Sequence, residues 1–204
     1  ENDPATASVV VIQVPYDGTT SYKAGARDGP SAIIRASRHL EDYDLELDRD
    51  ISLVGIHTAP AVEPSAAGPE DTVARVKDAV SRFASNGKLV ALLGGEHTIT
   101  IGAVQALKEI HPDLSVLYLD AHADLRDEYM GTRWGHASVA RRVHEMCSLV
   151  EVGVRSISES ERRFVDDAGI PVCFRMSGLQ APFDPIEEVL KALSPTVYVS
   201  IDLD

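Results

Sequence analysis

Six residues at three places in the chain carry groups that bind divalent cations. The stretch Gly94-Gly95-Glu96-His97 offers one imidazole, His97. The stretch 120–124, DAHAD, offers Asp120, His122 and Asp124 at alternate positions, and the stretch 200–204, SIDLD, offers Asp202 and Asp204, again alternating. In extended backbone alternate side chains share a face, so Asp120, His122 and Asp124 can converge, and so can Asp202 and Asp204. Four carboxylates in one pocket repel and raise each other's pKa. Divalent cations remove that repulsion, and a mixed carboxylate and imidazole set suits manganese, zinc, iron or nickel rather than a soft metal. One such aspartate alone would be an ordinary loop cap, and a lone His97 after two glycines an ordinary turn residue. All six together point to a metal site.

The elements around these stretches explain how they could meet. Apolar strand-like runs at 8–14 (SVVVIQV), 51–56 (ISLVGI), 89–93 (LVALL), 115–119 (SVLYL), 149–152, 172–174 and 197–201 alternate with helical patterns. Pro30 suits the first turn of a helix that follows the Gly-rich loop 15–29. Gly68-Pro69-Glu70-Asp71 opens a second helix, with its acids where the helix dipole favours them. Val73, Val76, Val80 and Phe83 line one face of that helix, and Asn86-Gly87 ends it. Further helices are predicted after His97, with Ile101, Val104 and Leu107 inward, over 138–146, after Ser158 and over 184–193. Strands apolar on both faces, with 89–93 read as fully buried, imply a parallel sheet covered by helices on both sides. The fold class is therefore α/β, a three-layer α/β/α arrangement with a mainly parallel sheet. Ligands of such sheets gather beyond the carboxyl ends of the strands, which is where 94–97, 120–124 and 200–204 fall. No repeat, low-complexity tract or linker divides the chain, so a single domain over 1–204 is expected.

Composition narrows the class of function. A chain of 204 residues, 44% hydrophobic and 25% charged, can bury a sizeable core and is neither a disordered tail, a coiled coil nor a disulfide knot. Nineteen Lys and Arg against 32 Asp and Glu leave a net charge of −13, which repels nucleic acid and anionic membranes and attracts cations or cationic substrates. No apolar run reaches the ~18 residues of a spanning helix. The acidic start Glu1-Asn2-Asp3-Pro4 is unlike a signal or transit peptide. Cys147 and Cys173 form no CxxC pair or framework, so a reducing compartment, the cytoplasm, is expected.

GGEHTIT, DAHADLRDEYMGTRWGHASV and SIDLD resemble the three signature blocks of the ureohydrolases, the arginases, agmatinases and their relatives. The run PYDGTTSYKAGARDGPSAIIRAS, followed by LEDYDLELDRD, resembles agmatinase-type members, so the likeness covers nearly the whole chain. It implies an arginase-like parallel sheet with two Mn2+ ions at the strand ends. One ion would take His97, Asp120, Asp124 and Asp202, the other Asp120, His122, Asp202 and Asp204, with Asp120 and Asp202 bridging. His136, in GHAS, matches the family's proton-handling histidine. Three departures bear on function. Glu96 stands where Asp is common, next to a ligand rather than as one, so a supporting role is expected. LRDEYMGTRWG lacks the Asn- and Ser-bearing loop that reads the amino-acid end of arginine. The chain stops at Asp204, short of the later glutamate that holds the guanidinium, so a C-terminally incomplete domain is expected.

The implied chemistry is hydrolysis of a guanidino group. Resonance makes its carbon a poor electrophile, and paired metals lower the pKa of water towards ~7 so that hydroxide is present at neutral pH. Asp124 would accept the proton and pass it to the leaving amine, and His136 would exchange protons with solvent. The expected reaction is agmatine to putrescine and urea. Another guanidino compound, a guanidino acid or arginine, is the nearest alternative; a non-catalytic homologue or a single-zinc deacylase are others, and His122 favours two metals over the last. The resemblance also implies a homo-oligomer, trimer or hexamer.

Overall fold

A computed structural model describes residues 3–173 and 185–204. The strand expected at 172–174 and the helix expected at 184–193 each include one residue, Phe174 and Asp184, that lies outside the described residues. The chain forms two compact units, Glu1–Ala106 and Leu107–Asp204.

The first unit contains β1 (Val9–Val14), α1 (Gly29–Ser37), β2 (Tyr43–Asp44), β3 (Arg49–Asp50), β4 (Ile56–Thr58), α2 (Pro69–Ala84), β5 (Leu89–Gly94) and the start of α3 (Ile99–Ile110). Its main sheet has the order β4-β1-β5 and is parallel throughout. Val9 pairs with Ile56 on one side and Leu89 on the other, and Val14 pairs with Gly94. Val10, Ile12 and Val14 are buried, and α2 adds Val73, Val76, Val80 and Ala84 to the same core. Pro at N1 and Glu70 and Asp71 in the first turn start α2 as their chemistry predicts.

Two expectations here are corrected. The run 51–56 is not one strand: Ile51–Val54 is a short 3-10 turn, and the strand begins at Ile56. The Asp50 carboxylate accepts from the Ser52 amide (2.9 Å) and hydroxyl (2.6 Å), which holds the turn, and Gly55, at φ 73°, takes the left-handed step that a β-branched residue resists. Nor is 89–93 fully buried, because Leu89 and Ala91 share an exposed face of an edge strand. The small antiparallel pair of β2 and β3 was not anticipated.

The second unit contains the end of α3, β6 (Ser115–Leu119), α4 (Val139–His144), β7 (Ser148–Val152), α5 (Glu159–Ala168), β8 (Val172–Cys173), α6 (Pro185–Ala192) and β9 (Val197–Ile201). Its sheet has the order β8-β7-β6-β9, again all parallel. Val116, Tyr118, Leu149, Val150 and, from α4, Val143 are buried in its core. The parallel α/β class is thus as expected, with the parallel strands divided between two sheets. Cys147 is a free thiol whose pKa burial pushes up. Among the described residues no helix is long and apolar enough to cross a membrane.

Candidate metal centre

Strand register builds the centre of the second unit. Leu119 of β6 lies between Val152 of β7 and Ile201 of β9, so these strands reach their carboxyl ends level with one another. The next residues are carried forward together: the Asp120 amide donates to Val152 O (3.1 Å) and the Asp202 amide to Leu119 O (2.9 Å). Asp120 is buried, and its Oδ1 accepts from the His122 amide (2.7 Å). His122 Nδ1 lies 3.5 Å from that oxygen and 3.2 Å from Asp204 Oδ1. The Asp204 amide in turn donates to Asp202 Oδ1 (3.1 Å). Asp120, His122 and Asp204 each present a donor atom, all within 4.8 Å of one another. Carboxylate oxygens and an imidazole nitrogen brought this close together are donor types that suit a divalent cation. A cleft of about 360 Å³ opens over these strand ends, lined by Asp120, Arg155, Asp202 and Asp204 among others. Gly153, at φ 97°, passes so close that an added Cβ would stand 3.1 Å from Asp120 O.

The alternation expected over 120–124 holds only in part. His122 still bridges to Ser156 in strand fashion, but Asp124 turns left-handed at φ 49° and is not among the three residues whose donor atoms meet. That conformation costs an L-residue about 1–2 kcal/mol, least for Asp and Asn. Hydrogen bonds that hold the turn include Ala123 N–H to Ser156 O (3.2 Å), Arg141 N–H to Asp124 O (3.3 Å), Arg126 N–H to Ala137 O (3.1 Å), and Leu125 N–H to Glu161 Oε1 (3.0 Å). Asp124 is buried. Burial, with the charges of Asp124, Asp120, Glu151 and Asp202, raises the pKa of the enclosed Tyr118 phenol well above its ordinary value.

His136 begins a 3-10 turn and meets Tyr129 edge to face, ring centroids 5.8 Å apart. The loop from Asp124 to His136 is pinned by charge. Asp127 Oδ1 accepts from buried Arg142 (2.6 Å) and from Arg133 (3.0 Å), and those guanidinium groups hold its carboxyl below the usual range. Its tip is a tight turn, with Tyr129 and Thr132 exchanging amide bonds across Met130 and Gly131, both at positive φ.

His97 belongs to the first unit, at the end of β5, and is buried. Gly95, two residues earlier, is a close backbone approach: a Cβ there would stand 2.2 Å from Tyr16 O, so a larger residue forces the backbone to shift. The Glu96 carboxylate accepts from the Thr19 amide (2.8 Å), the Thr19 hydroxyl (2.6 Å) and the Thr98 hydroxyl (2.6 Å), which ties the Gly-rich loop to the strand end. Asp17 in that loop is buried, pairs with the Arg27 guanidinium and accepts from the Gly25 amide (2.7 Å). The Arg27 hydrogen bond holds its carboxyl below the usual range. Burial, with the Glu96 and Asp17 charges, pushes Tyr16 up to about 12.

The family model described as the arginase family matches residues 7–204. The chain belongs to the arginase family. The N(1)-aminopropylagmatine ureohydrolase of Thermus thermophilus is 40% identical over 199 residues, a match covering 97% of this chain and 68% of that protein. The agmatinase of Pyrococcus horikoshii is 37% identical over 209 residues, covering 99% and 70%. The crystal structure of the agmatine ureohydrolase of Thermoplasma volcanium superposes with a TM-score of 0.89 at 32% identity, over 100% of this chain and 69% of that one. This member of the arginase family therefore spans about two thirds of the length of the relatives it matches.

Residue-level reading missed Glu161. It is buried, and besides Leu125 it serves the capping box of α5, accepting from the Ser158 amide through Oε2 (2.8 Å). The spacing Ser158-x-x-Glu161 marks the cap. Nothing in the spacing marks the second bond, to a residue 36 positions away.

Proposed function

We propose that this chain hydrolyses the guanidino group of agmatine to putrescine and urea, with two manganese ions as cofactor. The observation that carries the reading is the convergence of Asp120, His122 and Asp204 at adjacent parallel strand ends of an arginase-family chain. In the second unit Asp120, His122, Asp202 and Asp204 hold metal, and Asp124 contributes both to metal binding and to proton transfer. Paired divalent cations, when bound, act as Lewis acids and lower the pKa of water from ~15.7 to ~7. The chain's own groups do the rest. The Asp124 carboxylate takes a proton from the attacking water as the C–O bond forms and delivers it to the leaving amine nitrogen as the C–N bond breaks; the His136 imidazole relays the second proton of that water by exchange with solvent, leaving urea and the protonated amine. The acidic cleft favours a cationic substrate, in keeping with the net charge of −13. The reading extends to a trimer or hexamer acting in the cytoplasm, which sedimentation and fractionation test.

A second reading takes N(1)-aminopropylagmatine as the substrate, favoured by the 40% identical relative of that name. Both molecules present the same guanidino end. The test loads the protein that carries this chain with Mn2+ and supplies each compound in turn. Urea and amine in equal amounts are expected, with the higher kcat/KM identifying the substrate and Asp120→Asn losing activity at least ~100-fold. No urea from either compound, or full activity in Asp120→Asn, would contradict the proposal.

A further inference from the structure

We infer that Glu161 is a positioning residue that sets the backbone of Asp124 through the Leu125 amide, and so governs metal affinity. The inference rests on the reading of Asp124 given above. Asp124 holds a left-handed backbone, a conformation that costs a non-glycine residue free energy and that its surroundings here hold in place. Around that turn three hydrogen bonds join main chain to main chain and survive any side-chain substitution. A further bond, from Leu125 N–H, ends on the Glu161 carboxylate at 3.0 Å. Glu161 is itself immobilised. It is buried, sits at the third residue of α5, and its other oxygen accepts from the Ser158 amide at 2.8 Å and from the Ser158 hydroxyl. One carboxylate thus joins a helix cap to the residue after Asp124, so the rigid start of α5 holds the turn. A group that orients a metal-binding residue in this way commonly changes metal affinity or activity by about 10–100-fold when removed.

Ser158→Ala separates this role from simple helix capping. It deletes the hydroxyl of the cap but leaves the Ser158 amide and the Glu161–Leu125 bond in place. The experiment titrates Mn2+ into the parent, Ser158→Ala, Glu161→Ala and Glu161→Gln, following free Mn2+ by electron paramagnetic resonance, and measures kcat and KM for urea release. Glu161→Ala is expected to bind Mn2+ about 10–100-fold more weakly, with kcat reduced and KM nearly unchanged. Ser158→Ala is expected to stay within about twofold of the parent on every count. Glu161→Gln keeps the volume but has one acceptor oxygen for two N–H donors, so a smaller loss is expected; it decides the question alone should Glu161→Ala fail to fold. Glu161 variants that bind Mn2+ no more weakly than Ser158→Ala would overturn the inference. Asp124→Ala is measured alongside. Impairment there with normal Glu161 variants refutes only the role of Glu161, whereas parental Mn2+ affinity and urea release in Asp124→Ala refute the reading of Asp124 itself.

Discussion

Gly95→Ala tests the close backbone approach at the end of β5. At Gly95 the Cβ would lie 2.2 Å from Tyr16 O and 3.0 Å from Arg27 N and Cα. All three are main-chain atoms. Both segments are anchored, Tyr16 by its amide bond to Val14 O (2.8 Å) and Arg27 by its pairing with Asp17. Relief needs a backbone shift of roughly 1 Å, against an overpacking cost of about 1–3 kcal/mol. The shift also endangers the Gly95 N–H bond to Val14 O (3.2 Å), worth about 1 kcal/mol. After an entropic gain of about 0.4–1 kcal/mol through the unfolded chain, Gly95→Ala should cost about 2–3 kcal/mol. At about 2–4 °C per kcal/mol for a chain of this size, the melting temperature should fall by roughly 4–12 °C. Thermal melts followed by circular dichroism read the shift. Parental stability in Gly95→Ala would refute the close-approach argument.

Three further outcomes follow from the same geometry. His136→Ala should retain two Mn2+ per chain by elemental analysis yet lose turnover by about 10²–10⁴-fold, as for an acid–base group; loss of metal would make it a ligand instead. The Asp17 carboxyl, held low by Arg27, contributes stability that is present above about pH 4 and is lost as pH falls through the lower folded value. Asp17→Asn should therefore lie well below the parent in urea midpoint at pH 7, with the gap closing below pH 4; a gap constant across that range would contradict the ion pair. Saturating Mn2+ at about 100 times its dissociation constant should stabilise the parent by about 2.7 kcal/mol, and Asp120→Asn should abolish most of that gain in a thermal melt; an undiminished gain would contradict Asp120 as a ligand.

The apolar runs at β1, β5, β6, β7 and β9 are legible as parallel strands because they are short, rich in β-branched residues and bounded by turn residues, although β5 and β9 leave one face exposed. The strand-end rule points to the segments that carry Asp120, His122, Asp202 and Asp204. What escaped was set by local polar chemistry or by distance along the chain. The run 51–56 reads as a strand by hydropathy, yet the Asp50 side chain and Gly55 turn it. Alternation predicted Asp124 beside His122, but the strand ends first and the backbone goes left-handed. Glu96 to Thr19 spans 77 positions and Glu161 to Leu125 spans 36, and no spacing rule reaches that far. The Arg142–Asp127 pair, which pins the loop ahead of His136, is hidden for the same reason, since each residue alone reads as an ordinary surface charge.

In the proposed function the ends of β6 and β9 form a manganese centre. An anomalous difference map recorded at the manganese absorption edge, from crystals grown with saturating Mn2+, locates the ions. Two strong peaks per chain are expected, one of them bonded to Asp120, His122 and Asp204. A map with no peak at those three residues would contradict it.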